Sequence, residues 1–421
     1  MKKNHFWQTA LFAGALLFGF TACSSDDNGA QQQNSSKEQT LTIALNLAQT
    51  STMRTVATSF TDANESAIND VIVAIFDGSG NTVKIERVTS LDNATQVPGA
   101  ATGTFKWAND GKKITLAAQG LAAGYEVYVV ANAPWTSGGS LPGNQLEGCA
   151  SKTAFEGISI SATETLSDSE AAGGNGKSTD FVMLGKGVLT TGSTTTFTAV
   201  QTAGGTDPIN LYRMVSKVFI DKASTAFSGI YAGASYEITE IYLDNVPPTQ
   251  KFDLFTAGIN TTTPTINLNG GTNSTKTSEE TYLTTGVLTI PVALTTTPAD
   301  LDYYFYTMPN ASAAHTRLVV KGNFTIGSNT TEIYYPIYLN WTWNDTDSKW
   351  EAVTLSPNTL PYLSSVTREA KKIYANEAFA ITLNIKTIGV TDPKQDLDPQ
   401  SVEVGVTVAP WAAITQNSTF Q

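Results

Sequence analysis

The chain is poor in histidine and cysteine, two residue types that often carry out acid–base and nucleophilic catalysis. The 421 residues include two histidines, His5 and His315, and two cysteines, Cys23 and Cys149. A histidine that acts as a general base needs a positioned partner, and no Asp/Ser pattern accompanies His315. Cys149 lies in a stretch of Gly and Ala without a second histidine nearby, which argues against a nucleophile. We therefore expect that the protein is not an enzyme.

Two polar segments resemble sites for phosphate or metal, but both lack defining residues. The segment Gly173–Thr179 is rich in glycine and includes Lys-Ser-Thr, yet Ala171 stands where a phosphate loop needs its first glycine. Three aspartates near the C-terminus could bind calcium, but the glycine and glutamate of a known calcium loop are missing. Pro393 and Pro399 make turns the simpler interpretation of Asp392, Asp396 and Asp398. No cofactor and no metal is predicted.

Three tryptophans, Trp341, Trp343 and Trp350, could form an aromatic platform for a sugar. Trp341 and Trp343 are two residues apart, so they share one face of a strand. This spacing favours core packing or a cluster on the sheet surface over a sugar site.

The N-terminus has the pattern of an export signal. Lys2 and Lys3 precede an apolar run over residues 9–20, which is too short to favour a membrane span. The sequence Phe-Thr-Ala-Cys that ends at Cys23 resembles a lipobox, with Phe where Leu is usual. We interpret residues 1–22 as a lipoprotein signal peptide and Cys23 as the lipidated residue. The alternative is a plain signal peptide that is cut nearby.

The first predicted strand is followed closely by an isolated basic residue. Leu41, Ile43, Leu45 and Leu47 alternate with smaller or polar residues and would share one face of a strand. Arg54 is the only basic residue between Lys37 and Lys84. A buried strand beside a protease-type site suggests that the strand is temporary. We expect it to fill a groove until the chain is cut at Arg54, after which a strand of another subunit replaces it.

Composition points to an acidic, strand-rich protein. The chain carries 25 basic and 37 acidic residues, a net charge of −12, which disfavours nucleic acid and anionic membranes as partners. Short apolar runs between Thr/Asn/Gly/Pro turns indicate antiparallel β-sandwiches. A Gly-rich change of character over residues 202–208 predicts a domain boundary. With Cys23 lipidated, one thiol remains, so no intrachain disulfide is expected.

The last segment has the same alternation as the first strand. Val402, Val404, Val406 and Val408 alternate with other residues, and a polar tail with spaced apolar residues follows Trp411. Such a tail suits strand addition to a neighbouring molecule, in which alternate side chains set the register. The alternative is a last core strand with a frayed end. Beside a removable first strand, we favour strand exchange.

These features together resemble the fimbrillins, the subunits of type V pili of Bacteroidales, and in particular the minor-fimbria (Mfa-like) type. The resemblance rests on the order and spacing of several segments rather than on one motif. They are Cys23, Leu41–Arg54, Ile68–Gly80, Arg213–Val218, Asp244–Pro247, Met308–Asn310 and Val406–Trp411.

The resemblance implies an all-β protein with two transthyretin-like antiparallel β-sandwich domains in tandem. The expected units are a signal peptide (1–22), a lipidated pro-segment with the removable strand (23–54), sandwiches at 55–205 and 206–400, and a C-terminal strand and donor tail (401–421). Cleavage by an Arg-specific surface protease would fall between Arg54 and Thr55. The neighbour's donor strand would then enter the opened groove through Val404, Val406, Val408, Trp411, Ile414 and Phe420.

The implied role is a structural subunit of a cell-surface fimbria, made as a precursor whose lipid anchors it in the outer membrane. Its partners would be copies of itself, related fimbrial subunits, the protease, and a ligand on a host or bacterial surface. Two alternatives stay open. One is a fimbrial tip or accessory subunit, and the other is a surface lipoprotein that keeps Cys23 and binds glycans through exposed tryptophans.

Overall fold

The computed structural model describes residues 39–47, 68–88, 106–108, 113–162, 164, 181–257, 259–270, 291–344, 349–351, 359–397 and 402–410. The predictions for Cys23, Arg54, Thr55, Trp411, Ile414, Phe420 and Asp398 fall outside these residues. The regular secondary structure of the described part is almost all strand, so the predicted all-β class is confirmed. None of its helices is long and apolar enough to span a membrane.

The first half of the chain forms a nine-stranded sheet in the order β3-β2-β6-β8-β10-β1-β5-β4, with β9 placed between β8 and β1. Two short helices, α1 (Pro142–Glu147) and α2 (Lys152–Gly157), follow β6. The strands of this sheet are β1 (Gln39–Leu47), β2 (Val71–Phe76), β3 (Thr82–Val88), β4 (Lys106–Ala108), β5 (Lys113–Ala118), β6 (Glu126–Ala131), β8 (Met183–Thr191), β9 (Thr196–Val200) and β10 (Ile209–Arg213), and β7 (Ser159–Ser161) lies outside it.

The second half contributes a four-stranded sheet, β16-β11-β23-β24, and a five-stranded sheet, β14-β12-β17-β18 with β15 beside β12. A 3₁₀ turn covers Gly229–Tyr231. The strands are β11 (Ser216–Thr225), β12 (Ser235–Val246), β13 (Thr249–Lys251), β14 (Ile266–Gly270), β15 (Val292–Leu294), β16 (Ala299–Thr307), β17 (Arg317–Ile326), β18 (Asn329–Tyr338), β19 (Thr342–Asn344), β20 (Lys349–Glu351), β21 (Thr359–Leu360), β22 (Leu363–Thr367), β23 (Glu377–Ile385) and β24 (Val402–Pro410).

Local sequence explains the hairpin of β2 and β3. All six residues of β2 are buried, as expected for an apolar strand with neighbours on both edges. The turn after it is closed by Asp77, whose carboxylate accepts hydrogen bonds from the backbone N–H of Ser79 (2.8 Å) and Asn81 (2.9 Å). These bonds, above all that from Asn81, lower the pKa of Asp77. The charged carboxylate therefore takes the place of a backbone acceptor in the turn.

The two halves share a core. Tyr128 of β6 lies edge-on to Phe255, with ring centroids 6.3 Å apart, and Phe155 of α2 lies 6.3 Å from Phe252. β7 also pairs with β13, which joins the halves through a second small sheet. The division into two transthyretin-like sandwiches at residue 205 stays a prediction. β10, which begins after that point, pairs with β8 and β1 of the first sheet.

Two glycines of β8, Gly185 and Gly187, let this strand pack closely against β10. A Cβ atom on Gly187 would lie 2.5 Å from the Val200 carbonyl oxygen and 2.7 Å from Ile209 Cδ1, both in the packed interior. We expect Gly187→Ala to lower the free energy of unfolding by about 1–3 kcal/mol, because the neighbours are backbone and buried side chain. Urea denaturation measures this. Gly78→Ala is the matched control, since a Cβ there meets nothing within 4 Å. Equal effects of the two variants would contradict the packing argument.

A buried ion pair lies at the start of β23. Arg368 Nε donates to Glu377 Oε1 at 2.6 Å, and the Tyr374 backbone N–H donates to Glu377 Oε2 at 3.1 Å. Both charged side chains are almost fully buried. Burial raises the pKa of Glu377 to about 7, although the Arg368 guanidinium opposes the shift.

This pKa shift predicts a pH dependence of stability. Glu377 has an ordinary pKa of 4.5, so between that pH and about 7 the folded chain holds a proton that the unfolded chain has released. The contribution of Glu377 to the free energy of unfolding therefore falls as the pH rises through this window. Glu377→Gln should flatten that decline, as measured by urea denaturation from pH 4.5 to 7.5. An unchanged slope would show that Glu377 does not titrate there.

Candidate functional site: the groove that holds β1

β1 lies in the interior of the nine-stranded sheet although it is the first of the described strands in chain order. On one edge it pairs antiparallel with β5, from Gln39 opposite Ala118 to Ala44 opposite Lys113. On the other edge it runs parallel to β9 through residues 40–43 and parallel to β10 through residues 45–47. Both edges of β1 are therefore hydrogen-bonded to other strands.

The alternation predicted for β1 matches its burial. Leu41 and Ile43 are fully buried and Leu45 is 4% exposed, while Asn46 is exposed. The side chain of Leu47 lies outside the description. Full burial of an aliphatic side chain is worth about 1.5–3 kcal/mol, so three such residues hold the strand by several kcal/mol. The apolar face of β1 is thus a substantial part of the core.

The start of β1 is fixed by a contact that the sequence did not reveal. The Gln39 side chain accepts a hydrogen bond from the Leu121 backbone N–H at 2.7 Å and donates to the Leu121 carbonyl oxygen at 3.4 Å. The side-chain amide of Gln39 therefore makes the two hydrogen bonds to the backbone of Leu121 that a neighbouring strand would make. Near the other end, Asn46 donates to the side chain of Asn210 at 3.0 Å. These partners are far away in sequence, so no local pattern identifies them.

The place of β1 in the sheet defines a groove. Among the described strands, β5 and β4 are joined to the rest of the nine-stranded sheet only through β1. If β1 left, the facing edges of β5 and of β9 and β10 would be bare, above an apolar floor. A bare edge is a template for another strand. The groove that holds β1, flanked by β5, β9 and β10, is the candidate functional site.

The predicted donor residues are found in another sheet. Val404, Val406 and Val408 lie in β24, which pairs antiparallel with β23 and with no other described strand. Val404 is opposite Leu383, and Val408 is opposite Phe379. β24 is therefore the edge strand of the four-stranded sheet, and the structure does not bring it to the groove of its own chain.

The other candidate residues do not form a reaction centre in the described part of the chain. Burial raises the pKa of Cys149, and its Sγ lies 3.4 Å from the Gln145 carbonyl oxygen. Asp392 caps the backbone N–H of Lys394 at 2.9 Å, and Asp396 accepts from the Tyr338 hydroxyl at 2.6 Å. No group of metal-ligating side chains was found among the described residues.

The tryptophans take two different places. Trp343 and Trp350 are directly opposite each other in the hairpin of β19 and β20. Trp341 precedes this hairpin, and the Lys371 ammonium lies 4.5 Å from the centroid of its ring. The side chains of Trp343 and Trp350 lie outside the description, so the arrangement of the three rings stays a prediction.

The fold is that of fimbrial and adhesion proteins of known structure. A fimbrilin from Porphyromonas gingivalis matches with a TM-score of 0.52 and 15% identity over 90% of this chain and 98% of that one. A candidate cell adhesion protein from Parabacteroides distasonis matches with a TM-score of 0.55 and 16% identity over 90% and 99%. One from Bacteroides eggerthii matches with a TM-score of 0.52 and 18% identity over 89% and 96%. The chain therefore has the fold of the fimbrilins.

A family comparison gives the more particular assignment. Residues 39–213 match the model of the family described as major fimbrial subunit protein (FimA). This region contains β1 and the whole nine-stranded sheet, and the resemblance to the fimbrillins is confirmed. The minor-fimbria subtype stays a prediction. A search of curated proteins found no match.

A substitution in β1 tests how strongly the groove holds its strand. Ile43→Ala removes a fully buried side chain and should lower the free energy of unfolding by about 2–5 kcal/mol. The neighbouring Thr42→Ala, on the half-buried face, should cost less than about 1 kcal/mol. Urea denaturation of both variants makes the comparison. A cost for Ile43→Ala as small as that for Thr42→Ala would mean that β1 does not anchor the sheet.

Proposed function

We propose that this protein is a structural subunit of a cell-surface fimbria that polymerises by protease-triggered strand exchange and supports adhesion. The observation that carries the proposal is the position of β1. It is an interior strand with both edges paired and a buried aliphatic face, yet it lies at the N-terminal end of the fold. An isolated arginine, Arg54, follows it closely in sequence.

The proposed sequence of events begins with the lipidated precursor. Cys23 carries the lipid and holds the chain at the outer membrane, and β1 completes the sheet during folding. An Arg-specific surface protease then cuts between Arg54 and Thr55. After the cut, β1 is held by noncovalent contacts alone, and a competing strand is able to displace it. The lipid leaves with β1, because Cys23 lies on the same fragment.

The proposed donor is the C-terminal segment of the next subunit. Val404, Val406 and Val408 repeat the two-residue spacing of Leu41, Ile43 and Leu45, so the donor presents the same alternation to the groove. β24 occupies a sheet edge, from which a strand leaves by breaking hydrogen bonds to β23 alone. Trp411, Ile414 and Phe420 would extend the donor. Because the groove and the donor are different surfaces of one chain, the contact does not close on itself and builds a filament.

Adhesion is proposed because the similar solved structures include candidate cell adhesion proteins. A tip or accessory subunit would share the groove but polymerise poorly alone, so assembly of the purified chain separates these roles. We also propose the two-sandwich division near residue 205, supported by the change from the nine-stranded sheet to the later sheets between Arg213 and Ser216.

A disulfide that locks β1 tests strand removal. Thr42 of β1 lies directly opposite Thr115 of β5, and both side chains are half-buried. In a Cys149→Ser background, Thr42→Cys with Thr115→Cys should form a disulfide that keeps β1 in place after proteolysis. We expect cleaved monomers without polymer under oxidising conditions, and polymer after addition of reductant. Electron microscopy and nonreducing gels give the readout.

A matched control separates locking from any effect of a disulfide. Thr325 and Thr330 are also opposite each other, in β17 and β18, with hydroxyl oxygens 2.9 Å apart. Thr325→Cys with Thr330→Cys should leave polymerisation unchanged under both conditions. Polymer formed by the locked β1 variant while its disulfide is intact would refute strand exchange.

The protease site has its own test. Arg54→Ala should give an unprocessed, lipidated chain that does not enter fimbriae, whereas the unaltered chain sheared from cells should begin at Thr55. N-terminal sequencing and mass spectrometry measure both. Fimbriae built from chains that still begin at Cys23 would overturn the proposed trigger.

A further inference from the structure

A cavity of about 300 Å³ opens at one end of the five-stranded sheet, away from the strands that form the β1 groove. Three segments supply its walls: the end of β12, the loop that leads into β17, and the end of β18 with a later loop beside it. The lining residues are Asp244, Asn245, Ala313, Ala314, His315, Arg317, Tyr338 and Lys394. Its volume is at the lower end of the range for small-molecule sites.

The loop that forms one wall is held in a fixed shape. Asn310 is fully buried, and its side-chain amide donates to the carbonyl oxygens of Asn245 (3.1 Å) and Ala314 (2.8 Å). Asn245 has a φ of 61° and donates to the His315 carbonyl oxygen at 3.1 Å. These bonds already fix the loop, so the free-energy cost of ordering it when a ligand binds would be small.

Among the described residues, the charges of the lining leave one cation without an ion-pair partner. Arg317 forms a salt bridge with Asp244, so these two charges compensate each other. Burial, and then Lys371 and Lys372, lower the pKa of His315, which is therefore neutral at pH 7. The Lys394 side chain is exposed and forms no ion pair with any described residue. The lining thus carries a net positive charge in a chain whose net charge is −12.

The lining also holds polar atoms that can form further hydrogen bonds. His315 Nδ1 and Arg317 Nε are buried, and neither has a hydrogen-bond partner within the described structure. Buried polar atoms without partners are costly, so an oxygen-rich ligand that reached them would be favoured. The methyl groups of Ala313 and Ala314 and the ring of Tyr338 supply apolar surface beside these donors.

Tyr338 is itself held in position. Its hydroxyl donates to Asp396 at 2.6 Å, and the Lys371 ammonium lies 4.0 Å from the centroid of its ring. The His315 ring meets the Tyr338 ring edge-on, with centroids 6.0 Å apart. The side chains of this wall are therefore ordered by contacts outside the cavity.

We propose that this cavity binds one acidic sugar residue of a surface glycan. Its carboxylate would meet Lys394 and the Arg317 side of the cavity, and its hydroxyl groups would meet the polar groups of Asp244 and Asn245. The ring carbons would lie against the alanine methyl groups and Tyr338. One unpaired cation selects a single negative charge, and the small volume suits one sugar unit. The proposal goes beyond assembly, because the site lies apart from the β1 groove.

Binding to the soluble full chain, made with Cys23→Ala so that it carries no lipid, tests this. Isothermal titration calorimetry and saturation-transfer NMR would use N-acetylneuraminic acid and glucuronic acid as probes, with glucose and acetate as controls. We expect at least one acidic sugar to bind about tenfold or more tightly than glucose or acetate. Which of the two binds identifies the source of the acid.

Two variants connect the binding to the cavity. Lys394→Ala should weaken binding of the acidic sugar on the order of tenfold, because it removes a charge-assisted hydrogen bond. Lys251→Ala is the control, since Lys251 is an exposed lysine of β13 that does not line the cavity. Ala314→Phe should fill the cavity and abolish binding while the melting temperature stays near that of the unaltered chain, because the Ala314 side chain is exposed.

Three results would overturn the proposal. They are equal affinity for glucose and the acidic sugars, equal affinity for acetate, or unchanged binding in both Lys394→Ala and Ala314→Phe. Lys394→Ala should polymerise like the unaltered chain, so a failure here is distinguishable from a failure of strand exchange.

Discussion

The sheet of the first half depends on one requirement: an interior strand must satisfy hydrogen bonds along both of its edges. β1 forms these hydrogen bonds with β5 on one side and with β9 and β10 on the other. Its loss would leave two facing rows of backbone donors and acceptors and an apolar floor, each of which is costly in water. A sheet built in this way is stable with a strand in the groove and poorly stable without one, whichever chain supplies that strand.

Chain order makes this strand replaceable. β1 is the first of the described strands, so a single cut after it removes its covalent link to the later strands, whereas β6 or β8 would need two cuts. Its partners β9 and β10 come more than a hundred residues later, so the groove is complete only when most of the first half has folded. Occupation of the groove by β1 during folding therefore protects edges that would otherwise pair with other chains.

The sequence predicted local features better than it predicted which distant residues and strands pair with each other. Alternation at Leu41, Ile43 and Leu45 is a local property that follows from the two-residue repeat of a strand, and it identified both the strand and its buried face. The pairing of Gln39 with Leu121 joins residues 82 positions apart, and no local signal marks it. The placement of β24 beside β23 and the presence of His315 and Lys394 in one cavity lining also depend on long-range topology. The sequence thus predicted the strand that fills the candidate groove, but not the strands that flank it.

The proposed exchange would move the donor strand from an edge position to an interior position. In its own chain β24 has one paired edge, because β23 is its only partner among the described strands. In the groove of a neighbour, the same segment would pair along both edges, with β5 and with β9 and β10, and would bury its alternate side chains. The donor exchanges one row of hydrogen bonds for two, while the groove exchanges the two rows that it made with β1 for two rows with the donor. While β1 remains covalently attached it competes as an intramolecular strand at high effective concentration, so the exchange waits for the cut.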